Sequence, residues 1–256
     1  MKRSALVLVV VCLLGVSSGS SDVVPPLDAD RLLEEVVARL PREALMVKGE
    51  MIVRRRHGMP VGSLGFEMRL DWGGLPATAT YTIFDAFGRS LEQLTVFREE
   101  GASPRFRYAA GDPLQPEEVP PLFDKIRSSD ISWADLSLAF LWWRGGEVTG
   151  AAEVRGRKCY VVEVPAPETG TAGGTGAPGE GAAPYAAVRL WIDEELLMLL
   201  QAEGLNAARG PVRKLWVKSF KKIDDRWMIK DMEVQSYPVQ HRTKLTVREV
   251  SAAAPL

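Results

Sequence analysis

Few residues of this sequence have the types and spacing that enzymatic chemistry needs. The chain contains two cysteines and two histidines, and a nucleophilic cysteine needs a base beside it. Cys12 lies in an apolar N-terminal run, and Cys159 lies in an alternating apolar stretch that is typical of a small buried side chain. His57 falls in a basic turn and His241 in a polar strand, so neither histidine supports Cys159 as a nucleophile.

Catalytic and metal-binding motifs are missing from the sequence as well. It has no G-x-S-x-G elbow, no H-E-x-x-H and no cysteine pair at metal-ligand spacing, and its glycine-rich stretch lacks the lysine of a phosphate-binding loop. Carboxylates are plentiful, and because sequence does not say which of them converge, an acid/base pair stays open. We therefore expect a protein that is not an enzyme, with no catalytic residue, metal or cofactor.

Composition places the chain among globular proteins. Of its 256 residues, 46% are hydrophobic and 25% are charged, which is ordinary for a protein with a substantial core. The formal net charge is −1, whereas a nucleic-acid-binding surface normally brings a strong basic excess. We expect no nucleic-acid partner.

The N-terminus has the layout of a cleavable signal peptide, which we assign to residues 1–21. Lys2 and Arg3 precede an apolar run at 5–16, and small residues follow at 17–21. The run is shorter than the roughly 20 residues of a membrane span. Cys12 follows a valine rather than a small residue, which argues against lipid attachment there. Cleavage would leave Cys159 without a partner for an internal disulfide.

Residues 22–256 are predicted to form one domain of mainly β structure. An amphipathic helix is expected within 27–41, where apolar residues recur at helical spacing before Pro41. The stretch 64–72 alternates apolar and charged residues, as a half-buried strand does. The predicted strands are 45–55, 64–72, 78–85, 91–98, 105–109, 147–154, 158–164, 187–193, 197–203, 212–220, 227–234 and 243–250.

Eleven or twelve such strands with few helices predict a strongly curved antiparallel sheet, or an unclosed β-barrel, with helices covering its mouth. Two stretches interrupt the strands. A proline-rich connector is predicted at 112–121. Residues 165–184 are rich in Gly, Pro, Ala and Thr and are predicted to be a disordered hairpin loop.

The stretch 128–143, SSDISWADLSLAFLWW, holds three of the seven tryptophans and ends in an apolar run. Ser132 and Asp135 are predicted to cap a helix that runs from Trp133 to Trp143, with Asp135 in a narrow polar wedge. A helix so apolar must be buried, either in ordinary core or as the cover of an apolar cavity.

We predict that it covers a cavity, since the strands also carry inward aromatic residues. For any single tryptophan, plain core packing remains the simpler interpretation. The candidate ligand-binding residues are Leu70, Trp72, Tyr81, Ile83, Phe97, Phe106, Tyr108, Trp133, Leu136, Phe140, Leu141, Trp142 and Trp191.

Several stretches together resemble the outer-membrane lipoprotein-sorting family, the LolA-like group. They are SSDISWADLSLAFLWW, GRKCYVVEVP, RLWID, KSFKKI, RWMIKDMEV and HRTKLTV, in that order. The resemblance is closest over 128–247 and implies an unclosed barrel, lidded by helices, that holds acyl chains. It also implies a periplasmic location, acylated cargo such as a lipoprotein, an inner-membrane donor complex and an outer-membrane acceptor.

The resemblance leaves two points open. Some carriers hold the lid shut with an arginine, for which Arg54, Arg55, Arg56 and Arg69 are the candidates by neighbourhood. The segment ahead of SSDIS is shorter here than in many members. Beside the carrier, two functions remain as alternatives: an envelope regulatory or sensing module that binds a partner protein through the same fold, and a hydrolase.

Overall fold

A computed structural model describes residues 27–55, 58–167, 185–223, 226–237 and 241–254. The predicted signal peptide lies outside these residues, as does nearly all of the predicted loop at 165–184. Within the described ranges, no helix is both long and apolar enough to cross a membrane.

The first helix, α1 (Ala29–Ala38), forms where the helical spacing predicted it. Asp28 caps its N-terminus by accepting the backbone N–H of Asp30 at 2.9 Å, and the helix ends before Pro41. Leu32, Leu33 and Val36 are buried, so the apolar stripe faces the sheet.

All strands of the described chain join one antiparallel sheet of 13 strands. Their order is β6-β5-β4-β3-β2-β1-β13-β12-β11-β10-β9-β8-β7. The sheet is not closed, because β6 and β7 are its two edges, and the predicted fold class is confirmed. The strands are β1 (Leu45–Arg54), β2 (Pro60–Asp71), β3 (Ala77–Phe84), β4 (Ser90–Arg98), β5 (Arg105–Ala110), β6 (Gln115–Glu117), β7 (Glu147–Val154), β8 (Arg157–Pro165), β9 (Ala187–Asp193), β10 (Leu199–Leu205), β11 (Pro211–Ile223), β12 (Arg226–Ser236) and β13 (Arg242–Ala252).

Several strand boundaries differ from the prediction, and one short strand was not predicted. Strand β2 begins four residues earlier than expected, at Pro60, and β11 ends three residues later, at Ile223. The strand expected from residue 197 begins at Leu199, because Leu197 takes a left-handed turn conformation with φ 51°. The connector at 112–121 contains the short strand β6, which pairs only with β5. Pro116 is compatible with this position, because an edge strand need not donate every backbone N–H.

The two faces of the sheet differ as strand alternation requires. On β4, Leu94 and Val96 are buried on the inner face, and Thr95 and Phe97 lie on the outer face. The outer face carries cross-strand ion pairs such as Lys48–Glu67 at 3.4 Å and Lys214–Glu203 at 2.9 Å. The apolar core therefore lies in the concavity of the sheet.

Gly49 lies at an irregularity of the β1–β13 pairing. The β1–β13 pairing shifts register between Lys48 and Gly49. A Cβ at Gly49 would collide with the backbone oxygen of Thr246 and the ring of Phe66. Glycine at this bulge therefore leaves room for the ring of Phe66 and the backbone of Thr246.

The stretch predicted as one long helix consists of two short turns, and that prediction is wrong. A four-residue helix, α2 (Trp133–Leu136), is followed by a 3₁₀ turn at Ala139–Trp142. Between them Leu138 adopts the left-handed conformation, with φ 49°. At this left-handed residue the chain changes direction, so the two turns do not share one helix axis. We call residues 132–143 the lid segment.

Candidate functional site: an apolar cavity under the lid segment

A cavity of about 410 Å³ lies between the lid segment and the inner face of the sheet. This volume is in the range of small-molecule sites, roughly 300–1,000 Å³. Its wall is formed by the end of α1, the lid segment, the β9–β10 turn and strands β1, β2, β3, β12 and β13. The lining residues are Val36, Arg39, Leu40, Pro41, Val47, Met68, Leu70, Trp72, Tyr81, Leu136, Ser137, Leu138, Leu141, Trp142, Leu196, Leu197, Met198, Leu199, Trp227, Met228, Ile229, Met232, Leu245 and Val247.

The lid segment begins at the capping box predicted from the sequence. The backbone N–H and hydroxyl of Ser132 both donate to Asp135 Oδ2, at 2.8 and 2.6 Å. The backbone N–H of Asp135 donates back to Ser132 Oγ at 3.2 Å. This reciprocal pairing satisfies the free amides of the first turn.

A buried ion pair fixes the same turn to the sheet. Asp135 is 2% exposed rather than part of a solvent-facing wedge, and it accepts Arg213 Nε at 3.0 Å through Oδ1. Arg213 Nη2 also bonds Asp135 Oδ2 and the backbone carbonyl of Asp130. Asp130 receives Lys125 Nζ at 3.0 Å, and its backbone N–H donates to Thr243 Oγ1 at 2.7 Å. Asp135 thus ties the lid segment to β11, and Asp130, just before the segment, ties the adjoining chain to β13.

Arg213 was missed in the sequence, although a signal for it exists. It shares the inner-face parity of β11 with Leu215 and Val217, so an arginine there needs a buried partner. The arginine paired with the lid segment's Asp135 is Arg213 rather than Arg54, Arg55 or Arg69. Arg56 lies outside the described residues.

The structure brings six of the predicted ligand-binding residues together at the cavity wall. They are Leu70, Trp72, Tyr81, Leu136, Leu141 and Trp142. The rings of Trp72 and Trp142 lie 5.5 Å apart, centroid to centroid. That these residues contact a ligand stays a prediction.

The other seven lie away from the cavity wall. Ile83, Trp133 and Phe140 are buried among solid core. Phe106 and Tyr108 pack against the core near the β5–β6 edge, where the Tyr108 hydroxyl donates to Glu92 at 2.6 Å. Phe97 and Trp191 lie on the outer face, because their strand parity is opposite to that of buried neighbours such as Val96 and Leu190.

The other 18 of the 24 lining residues were not singled out in the sequence. β12 contributes Met228, Ile229 and Met232, and the β9–β10 turn contributes residues 196–199. A visible signal was the run Leu-Leu-Met-Leu in that turn, since turns are usually polar.

Two polar side chains lie together at one side of the cavity, Tyr81 in its wall and Arg98 behind Trp142. The Tyr81 side chain is buried, and burial raises the pKa of its hydroxyl well above the ordinary value. Arg98, at the end of β4, places its guanidinium carbon 3.9 Å from the ring centroid of Trp142. Burial lowers the pKa of Arg98 to about 10, so the group remains a cation at neutral pH.

Reactive groups do not converge on the cavity. Cys159 is fully buried, and burial raises the pKa of its thiol to about 11, which suits a structural side chain. Throughout the described ranges, no three His, Cys, Asp or Glu side chains come close enough to hold a metal ion. The arrangement of the wall favours binding of an apolar molecule.

Comparisons with known proteins agree on the fold. The sequence profile of a family described as uncharacterised protein matches residues 122–256, more than half of the chain. No curated protein sequence matches the chain. The structure resembles a DUF1329 family protein from Desulfovibrio piger, with a TM-score of 0.69 and 16% identity over 89% of this chain and 93% of the other.

Two further solved structures connect the fold to the predicted family. A putative outer membrane lipoprotein-sorting protein domain from Vibrio parahaemolyticus has a TM-score of 0.69 and 12% identity, over 89% of this chain and 93% of that one. A LolA superfamily protein from Nitrosomonas europaea has a TM-score of 0.63 and 12% identity, over 90% and 96%. The predicted resemblance to this group is confirmed, and at these identities it establishes the shared fold.

Proposed function

This chain belongs to a family of uncharacterised proteins, and we propose that it is a carrier or holder of lipid-like cargo rather than an enzyme. The observation that carries the proposal is the apolar cavity of about 410 Å³ beneath a lid segment that is anchored at one end. A cavity wall lined by leucine, methionine and tryptophan offers an acyl chain the same surroundings as a membrane interior.

The energetics of acyl-chain burial suit reversible carriage. Each buried methylene contributes about 0.8 kcal/mol, so even part of one chain supplies several kcal/mol. Ordering and desolvation offset part of this gain, which leaves an affinity that permits release. The chain's own large side chains do not fill the space, which is what a binding cavity requires.

The finer proposal is sorting of acylated cargo in the periplasm. It is supported by the layout of residues 1–21 and by a fold shared with a putative outer membrane lipoprotein-sorting domain. In this role the protein would receive a lipoprotein or another acylated molecule from an inner-membrane donor and pass it to an outer-membrane acceptor.

Native mass spectrometry of the protein purified from its cell envelope tests the proposal. We expect a mass increment that matches a lipid or an acylated peptide and is lost on collisional activation. Purified protein should also bind the neutral dye N-phenyl-naphthylamine. Trp142→Leu should weaken dye binding, because Trp142 lines the cavity, whereas Trp191→Leu on the outer face should not.

Two outcomes would contradict the proposal. Absence of both co-purified lipid and dye binding would show that the cavity is not a lipid site. Tight association with an envelope protein, without any extractable lipid, would favour the sensing module instead.

A further inference from the structure

A cation lies behind the cavity wall, against Trp142, and no carboxylate of the described residues pairs with it. Arg98 follows Leu94 and Val96 in strand parity, so its side chain lies on the inner face of the sheet. Its guanidinium stacks on Trp142, and its positive charge interacts electrostatically with the hydroxyl of Tyr81. Both aromatic side chains line the cavity.

Three other arginines with limited exposure have carboxylate partners. Arg213 pairs with Asp135, Arg189 with Glu163 and Arg157 with Asp193. Arg98 has no such ion pair in the described part of the chain, and its Nε is buried without a hydrogen-bond partner.

Two other arginines, like Arg98, have a buried Nε without a hydrogen-bond partner, but they do not lie near the cavity. Arg54 and Arg69 lie on the outer face, since their neighbours Val53 and Met68 point inward. Arg39 lines the cavity, but it is exposed and water solvates its charge. Arg98 is thus the cation held close against apolar cavity wall.

Burying a guanidinium without an anion is unfavourable, and stacking on an indole ring compensates for only part of the lost hydration. A planar donor that cannot lose its proton is well suited to a carboxylate or a phosphate. The Tyr81 hydroxyl stays protonated and can donate to the same anion.

We infer that the ligand of this cavity is an anionic amphiphile, whose apolar chain fills the cavity and whose carboxylate or phosphate binds Arg98 with help from Tyr81. This inference rests on the proposed function and adds the chemical class of the ligand to it. A carboxylate would come from a free fatty acid and a phosphate from a phospholipid or a phosphorylated glycolipid.

Amphiphiles with the same chain and different heads test the inference. Palmitate, hexadecyl phosphate and the neutral hexadecanol are each used to displace N-phenyl-naphthylamine from the folded protein at mildly alkaline pH. We expect palmitate or hexadecyl phosphate to bind about 10- to 100-fold more tightly than hexadecanol, as for a hydrogen bond to a charged group. The tighter of the two anions identifies the source of the head group.

Variants assign the preference to one side chain. Arg98→Gln should bring the anion and the alcohol to nearly equal affinity, and Arg98→Lys should keep part of the preference. Arg107→Gln is the matched control, because Arg107 stacks on Phe97 on the outer face. Arg39→Gln tests the exposed cation at the cavity, and the preference should survive in both of these variants.

The outcomes separate this inference from the proposed function. Equal affinity of the wild type for palmitate, hexadecyl phosphate and hexadecanol would overturn the inference. It would not contradict the proposal that the protein is a carrier. A preference that survives in folded Arg98→Gln, or is lost in Arg39→Gln instead, would overturn the role of Arg98. Failure of all three amphiphiles to displace the dye would contradict the proposed function itself. If Arg98→Gln does not fold, the wild-type comparison and Arg98→Lys decide.

Discussion

At the scale of single residues, the ion pair between Arg213 and Asp135 matters most for the lid segment. Arg213→Met would leave the carboxylate of Asp135 buried without its cation, which destabilises proteins by about 3–5 kcal/mol. The expected result is a loss of that size in the free energy of unfolding, measured with urea. Arg213→Met combined with Asp135→Asn should recover much of it, because no unpaired charge remains.

Arg209→Met is the matched control for this prediction. Arg209 also pairs with a buried carboxylate, that of Glu163, but its own side chain is 59% exposed. Exposed pairs contribute about 0–1 kcal/mol, so the loss should be small. An Arg213→Met variant as stable as Arg209→Met would contradict the view that the lid segment is anchored by charge.

Sequence reasoning reached one half of this ion pair and not the other. Ser132 and Asp135 were predictable, because the two residues of a capping box are always three positions apart in the sequence. Arg213 lies 78 residues beyond Asp135 in the chain, and only the fold brings the two together. Local signals of this kind predict caps, whereas long-range partners depend on register between distant strands.

At the scale of elements, the left-handed residue Leu138 distinguishes the observed lid segment from a continuous helix. Glycine takes this conformation without the penalty of roughly 1–2 kcal/mol that a side chain incurs. We therefore expect Leu138→Gly to be more stable than Leu138→Ala by about 1 kcal/mol. Both variants lose the same packing of Leu138 in the cavity, so their difference isolates the backbone.

Chemical unfolding of the two variants measures that difference. In a continuous helix the order would reverse, because alanine is favoured over glycine by about 1 kcal/mol in a helix interior. An alanine variant more stable than the glycine variant would therefore support the uninterrupted helix that the apolar spacing suggested.

The strands were easier to predict than this segment. Alternation and turn residues located β7 and β9 to the residue, because a half-buried strand repeats every two positions. The lid segment is apolar on nearly every side, and spacing therefore could not indicate where its backbone breaks. Leu245 and Val247 of β13 alternate like ordinary core, which is why these two cavity residues could not be distinguished from it.

The outer face of the sheet has a pH-sensitive cluster at Asp231. Although burial alone raises its pKa, hydrogen bonds from Ser219, Lys244 and Thr246 lower the pKa of Asp231 from 3.8 to about 2. A carboxylate with a lowered pKa stabilises the folded state above its unfolded pKa, and this contribution is lost as the pH falls toward the folded pKa.

Asp231→Asn should therefore lower the free energy of unfolding near neutral pH by about 1 kcal/mol, after allowance for solvent screening. The difference from wild type should decline between about pH 4 and pH 2. Unfolding curves at several pH values measure it, with the exposed Glu249→Gln as control. A difference that does not change with pH would show that Asp231 contributes packing rather than charge.

At the scale of the whole molecule, ligand binding should appear as thermal stabilisation. A ligand at about 100 times its Kd adds about 2.7 kcal/mol to the free energy of unfolding, which raises Tm by about 5–10 °C for a chain of this size. Differential scanning fluorimetry with the tighter-binding amphiphile measures the shift. A Tm that does not change with any amphiphile would contradict the proposal that the protein is a carrier.

Met68→Trp should abolish the shift by filling the cavity. Met68 lies opposite Val47 on the inner face, and both side chains line the cavity. Since the added ring enters free space, Tm without ligand should not fall. A large drop in Tm would instead show that the space around Met68 is already filled by core.

The two free edges of the sheet bear on the capacity of the cavity that it surrounds. A closed barrel has a diameter set by its number of strands and their stagger, so its interior has a single capacity. This sheet ends at β6 on one side and β7 on the other, without a ladder that joins them. Ring closure therefore does not fix its curvature, and in the carrier that we propose the cavity could adjust to chains of different length or number.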